Sequence, residues 1–101
     1  MFKQLRDGWK LPKINKAMNA ASAALDAGRI DIAEEWLKQA HNLLLDTTLP
    51  QTAHTDMILA WGLMALTLKE RGHTDLAEQC TKTANLLQAR FDVGDFYREY
   101  Y

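Results

Sequence analysis

Residues 28–40 read GRIDIAEEWLKQA, and residues 72–84 read GHTDLAEQCTKTA. Both segments open on a glycine and carry alanines five and twelve residues later: Ala33 and Ala40 in the first, Ala77 and Ala84 in the second. The two glycines lie forty-four residues apart. Self-similarity at a period of this order marks a repeated supersecondary unit. Each glycine also separates two stretches of helical pattern. Ahead of Gly28, the residues Ile14, Ala17, Met18, Ala21, Ala24 and Leu25 fall on one helical face. After it, Ala33, Trp36, Leu37, Ala40, Leu43 and Leu44 do the same. A glycine at such a junction ends a helix in the left-handed conformation. Small residues on both arms let the arms touch closely. The chain therefore reads as two copies of one helical hairpin, an arrangement suited to a scaffold rather than to a catalyst.

Working outward, the first helix is expected from about Pro12, well placed in a first turn, to about Ala27. The second opens at Asp31, with Glu34 three residues on completing a capping box, and fades near Asp46. Thr47 to Ala53, which holds Pro50, reads as a connecting loop. A third helix is expected from about Thr55 to Arg71. It is apolar almost all round, so burial on more than one side is expected. Thr74 reads as the N-cap of a fourth helix that runs to about Arg90, with Asp75 and Glu78 near its positive end. Strand signals are nearly absent. The fold class is all-α: two antiparallel helical hairpins made from four main helices. Residues 1–13 form a basic N-terminal segment read as a cap on the fold. Residues 14–90 form the two-hairpin domain, and residues 91–101 an aromatic tail that Gly94 interrupts.

A chain of 101 residues allows one domain and one modest core. A net charge of −1 makes no general case for nucleic acid. The basic charge concentrates in residues 1–16, where Lys3, Arg6, Lys10, Lys13 and Lys16 face Asp7. That segment also carries Phe2, Leu5, Trp9 and Leu11, a mixture able to dock on an anionic membrane surface, although a cap is the preferred reading. Cys80 is the single cysteine, so no internal disulfide forms, as suits a reducing compartment. No apolar run reaches signal-peptide or membrane-span length. A cytoplasmic protein without a transmembrane segment is expected.

The chemistry-bearing residues give little support to catalysis. His41, His54 and His73 form no metal-ligand pair, so no metal and no cofactor are expected. His54 and His73 each precede Thr-Asp at an expected helix start, which reads as capping. His41 lacks the lysine and glycine that a phosphotransfer histidine would have after it. Cys80 lies on an apolar helix side and reads as a buried, inert thiol. Glu34 and Glu35 are neighbours and diverge by about 100° on a helix. No enzyme activity is expected. A helix–turn–helix reading is disfavoured because Asp31, Glu34 and Glu35 open one candidate recognition helix, while Asp75 and Glu78 lead the other.

The hairpin pattern resembles the tetratricopeptide repeat over about residues 14–90. In the second copy, Trp61 falls at the family's large residue of helix A, Ala65 at its small residue, Gly72 at the turn, and Ala77 and Ala84 at the small residues of helix B. In the first, Ala17, Ala21, Gly28, Ala33 and Ala40 occupy the same places. The family's usual period of 34 residues is lengthened here, which fits a longer second helix and the loop around Pro50. The proline that usually closes each repeat is missing. The resemblance implies a ligand groove on the helix A face, lined by Asn15, Met18, Asn19 and Ser22 in the first copy and by Leu59, Gly62, Leu63 and Leu66 in the second. The groove lacks the basic residues of the family's carboxylate clamp, so a C-terminal carboxylate ligand is not expected. Two repeats are fewer than the three or so that such folds need. The N-terminal segment, the aromatic tail or another copy of the protein is expected to cover the ends.

The expected function is a non-enzymatic protein-interaction module or adaptor. Its partner is another protein, offered as a peptide or amphipathic helix. The alternative is a structural homo-oligomer, a homodimer or larger assembly subunit, since a large apolar face rarely stays uncovered. A nucleic-acid-binding adaptor is the least favoured reading.

Overall fold

A computed structural model of the protein describes residues 10–96. The expected cap through residue 9 and the tail beyond Phe96 lie outside the described residues. The regular elements described are four α-helices: α1 (Lys10–Asp26), α2 (Ile30–Leu45), α3 (Gln51–Glu70) and α4 (Thr74–Asp92). The chain divides into two compact units, the first ending at Thr48 and the second starting at Leu49. Helices α1 and α2 pack together in the first unit, and α3 and α4 in the second. Each unit is one helical hairpin.

The two hairpin turns are built alike. Gly28 has φ +75° and Gly72 φ +85°. The Gly28 N–H donates to the Leu25 carbonyl at 3.0 Å, and the Arg29 N–H to the Ala24 carbonyl at 2.8 Å. Gly72 donates to Lys69 at 3.1 Å and His73 to Leu68 at 2.8 Å. This reciprocal pair satisfies carbonyls that the last helical turn leaves open. A side chain at either glycine would meet no neighbouring atom within 4 Å. Glycine is therefore demanded by the left-handed backbone and not by crowding.

The turns also explain where the expected helix starts shift. Arg29 and His73 each close the preceding helix and cap the next one; their carbonyls accept the Ala33 and Ala77 N–H groups at 3.0 Å. No residue remains between the helices for a separate side-chain cap. Hence Asp31 and Thr74 do not cap: α2 starts at Ile30 with Arg29 as N-cap, and α4 at Thr74 with His73 as N-cap, neither with a side-chain cap bond. Asp31 and Asp75 lie in the first turns, where a carboxylate is favoured by the helix dipole. The third helix likewise begins at Gln51 rather than Thr55. Pro50 is its N-cap, and the Pro50 carbonyl accepts the His54 N–H at 2.8 Å. A proline there loses nothing, because a donor at the helix start has no intrahelical partner. The boundary expected at residues 13 and 14 falls inside α1.

In the first unit α1 buries Ile14, Ala17, Met18, Ala21 and Leu25, and α2 buries Ala33, Leu37, Ala40 and Leu44. Ala21 and Ala40 are fully buried, as a close approach of the two arms requires. The Lys10 ammonium donates to the Asp46 carbonyl at 3.3 Å, tying the start of α1 to the end of α2. On the surface of α2, Lys38 pairs with Glu34 one turn back at 3.3 Å. Such an exposed pair contributes a few tenths of a kcal/mol.

In the second unit α3 buries His54, Met57, Trp61, Met64, Ala65 and Leu68, and α4 buries Leu76, Ala77, Cys80, Thr83 and Leu87. The His54 ring Nε2 donates to the Leu87 carbonyl at 2.7 Å. The Phe91 and Phe96 rings stand edge-on to the imidazole, with centroids 5.7 and 6.2 Å away, and stack on each other at 4.8 Å. Gly94, with φ +76°, ends α4 by the same bond pair as the hairpin turns, and Arg90 pairs with Asp95 at 3.0 Å just beyond.

Candidate functional site

Helix α3 has two unlike sides. Its buried residues occupy one side at steps of three and four. The opposite side carries Leu59, Leu63 and Leu66, which are 63, 55 and 54% exposed. Steps of four and then three place these leucines on one stripe. Burial of α3 on more than one side, expected from its composition, therefore does not occur within the described residues. Gly62 lies beside the stripe and is exposed, and a Cβ there would meet nothing within 4 Å. Its φ is not positive and its position is mid-helix, so neither a turn nor a close approach calls for glycine.

The first hairpin supplies an internal comparison. The repeat offset that relates Gly28 to Gly72 carries Asn15, Asn19 and Ser22 onto Leu59, Leu63 and Leu66. All six residues are exposed. Each triplet shares a face of its own helix, and the two belong to separate units. At the same place in the hairpin, one copy carries amides and a hydroxyl, and the other three leucines. Met18 departs from its expected place. It is 7% exposed and belongs to the buried face of α1, so its side chain does not join the set. Its counterpart in the second copy is Gly62.

A groove of about 560 Å³ runs beside the leucine stripe, between α3 and α4. Gly62, Leu66 and Lys69 line its α3 wall, and Asp75, Glu78 and Thr81 its α4 wall. In the first unit a groove of about 420 Å³ lies between α1 and α2, with Lys13 and Lys16 on one side and Trp36 and Asn42 on the other. Asn15, Asn19 and Ser22 do not line it.

The remaining polar groups are placed as follows. Among the described residues, no three of His, Cys, Asp and Glu gather where they could hold a metal ion. None of the described helices is long and apolar enough to cross a membrane. His54 does not cap α3, because the helix starts earlier and carries it to the buried side. Thr55 also does not cap: its hydroxyl donates back to the Gln51 carbonyl at 3.1 Å. No family model, no curated protein and no solved structure matches the chain. The surface itself must carry the functional argument.

Cys80 is buried, and burial pushes its thiol up from 9.0 to about 11. Desolvation disfavours the thiolate, which is the reactive form. The folded protein at pH 8 is therefore expected to resist a thiol reagent that labels it promptly in urea. The same shift links folding to pH. The unfolded chain gives up this proton near pH 9, before the folded chain does. The contribution is complete below pH 9 and is lost between pH 9 and about 11, to a limit of about 3 kcal/mol. Urea midpoints across that range, compared with those of Cys80→Ala, isolate the effect, because the variant lacks it.

Proposed function

We propose that this protein is a non-catalytic interaction module that binds a helical segment of a partner protein chain along α3. One observation carries the reading. Positions that the first hairpin fills with Asn15, Asn19 and Ser22 are filled in the second by Leu59, Leu63 and Leu66, and all are exposed. The hairpin fold tolerates polar residues there, so folding does not demand the leucines. Exposed apolar side chains lined up at helical spacing are what a second amphipathic helix packs against. The likeness of the hairpins to tetratricopeptide repeats supports the same face, since the helix A side of that family holds its ligands. A cytoplasmic setting, argued from the single cysteine, belongs to the same proposal. Nucleic acid is a poorer partner, because Asp75 and Glu78 border the groove beside the stripe.

A photo-reactive benzoylphenylalanine placed at Leu63 tests this in the native host, with the same group at Asn19 as control. Protein adducts at position 63 that are absent at position 19 are expected. Equal adducts at both positions, or none at 63, would overturn the reading.

A further inference from the structure

The repeat offset carries the groove between α1 and α2 onto the middle of the second hairpin. There Met57, Trp61, Cys80, Thr83 and Leu87 are all buried. In the first hairpin the same five places hold Lys13, Ala17, Trp36, Gln39 and Leu43, and all five line the open groove of about 420 Å³. The indole has changed arms between the two copies. Trp61 stands on the first arm of its hairpin and Trp36 on the second arm of its own. Ala17 thus offers a methyl group where Trp61 puts two fused rings. Trp36 is only half-buried and keeps part of its surface open to the groove. We infer that this groove binds a small planar aromatic molecule carrying a carboxylate or phosphate on a short arm. It belongs to the other unit from the leucine stripe, so the inference stands apart from the reading of α3.

The volume falls in the usual range for small-molecule sites. Trp36 supplies an aromatic surface against which a second ring stacks or stands edge-on. The charge is one-sided: Lys13 and Lys16 line the groove and no carboxylate does. The groove of the second unit differs, with Asp75 and Glu78 beside Lys69. The Lys16 ammonium and the Gln39 and Asn42 amides make no hydrogen bond or ion pair among the described residues. Their donors are therefore open to a ligand. Trp36 lies eight residues after the Gly28 turn, and Lys16 and Lys13 lie twelve and fifteen before it. Along antiparallel arms the lysines then stand about 6 to 10 Å beyond the indole, at 1.5 Å per residue. A ring on Trp36 with an acid on a short arm spans that distance. The same charge argues against two other occupants. Residues 1–9 carry Lys3 and Arg6 against Asp7, the sign of the groove itself. A second copy of the groove would set lysine against lysine.

Indole-3-acetate and adenosine monophosphate serve as probes of the full chain, followed by amide chemical shifts. At least one is expected to bind with a dissociation constant of about 1 mM or tighter, shifting amides of residues 13–17 and 36–43. Binding of the first alone assigns an aromatic carboxylate, and of the second alone a nucleotide. Tryptamine, which carries the ring with a cation, and acetate or phosphate without a ring are expected to bind at least tenfold more weakly. Lys16→Glu and Trp36→Ala, each checked by helical circular dichroism, are expected to weaken binding about tenfold or more. Lys82→Glu, exposed on α4, is expected to leave it unchanged. The inference is overturned if neither probe binds, or if the shifts map outside α1 and α2. It is equally overturned if tryptamine or the bare anion matches the probe, or if Lys16→Glu binds as wild type does. Adducts at Leu63 do not depend on any of these outcomes.

Discussion

Trp61→Ala is expected to lower the unfolding free energy by about 3–5 kcal/mol. A chain of this length has roughly 5–15 kcal/mol in all, so a large part of the stability depends on one side chain. Trp61 is 1% exposed on the buried side of α3. Its counterpart in the first hairpin is Ala17, 2% exposed. The same place in the repeat thus holds a methyl group in one unit and an indole in the other. Trp61→Phe should cost far less. The indole Nε1 is buried with no hydrogen-bond partner among the described residues, and an unmet donor of that kind costs about 1–3 kcal/mol. Phenylalanine removes this penalty while keeping most of the volume. Urea unfolding followed by helical circular dichroism measures both variants. Equal losses for Trp61→Phe and Trp61→Ala would mean that the indole N–H has found a partner.

The hairpins were legible because glycine at a left-handed cap and alanine at a close contact leave periodic marks. Gly28 and Gly72 with Ala33, Ala40 and Ala77 mark the two hairpins in the sequence itself. The helix starts were less legible, and for one reason. Capping signals assume a free residue ahead of each helix, whereas Arg29 and His73 serve the end of one helix and the start of the next. Pro50 misled in a similar way: a proline read as loop marks here the first residue outside α3. Met18 carries two readings in the sequence, the apolar face of α1 by periodicity and the groove by repeat position, and the structure follows the periodicity. Its neighbours Ile14, Ala21 and Leu25, four, three and seven residues away, put it on the buried stripe. The exposed leucine stripe of α3 separates from its buried side only once burial is known, because the helix is apolar almost all round.

The leucine stripe and the buried face of α3 make different demands, which explains the helix's apolar composition. Met57, Trp61, Met64 and Leu68 hold the second hairpin together. Leu59, Leu63 and Leu66 do not contribute to that packing, so their replacement by polar residues should leave the fold intact. A change on the buried side should unfold the unit, while one on the exposed side should change only association. The two sets of variants are therefore separable by circular dichroism before any binding is measured.

His54→Ala is the second large effect, expected at about 2–4 kcal/mol from the lost side-chain volume and the lost bond. The imidazole is fully buried. Its Nε2 donates to the Leu87 carbonyl at 2.7 Å, so α3 grips α4 near the end of that helix. The same ring is the platform on which Phe91 and Phe96 pack edge-on. Removing it takes away a donor, a filled volume and two aromatic contacts together. The damage should be greatest at the α4 end. Hydrogen exchange is expected to speed up most for the amides of Phe91 to Phe96, with less change at the Gly72 turn, whose bonds to Leu68 and Lys69 do not involve the ring. His54→Gln separates the contributions. Its amide can donate to the Leu87 carbonyl but gives the phenylalanines no ring to stand against, so stability should recover in part while exchange beyond Arg90 stays fast. Full recovery of both by glutamine would show that the hydrogen bond alone holds the end of α4, and that the aromatic cluster follows from it.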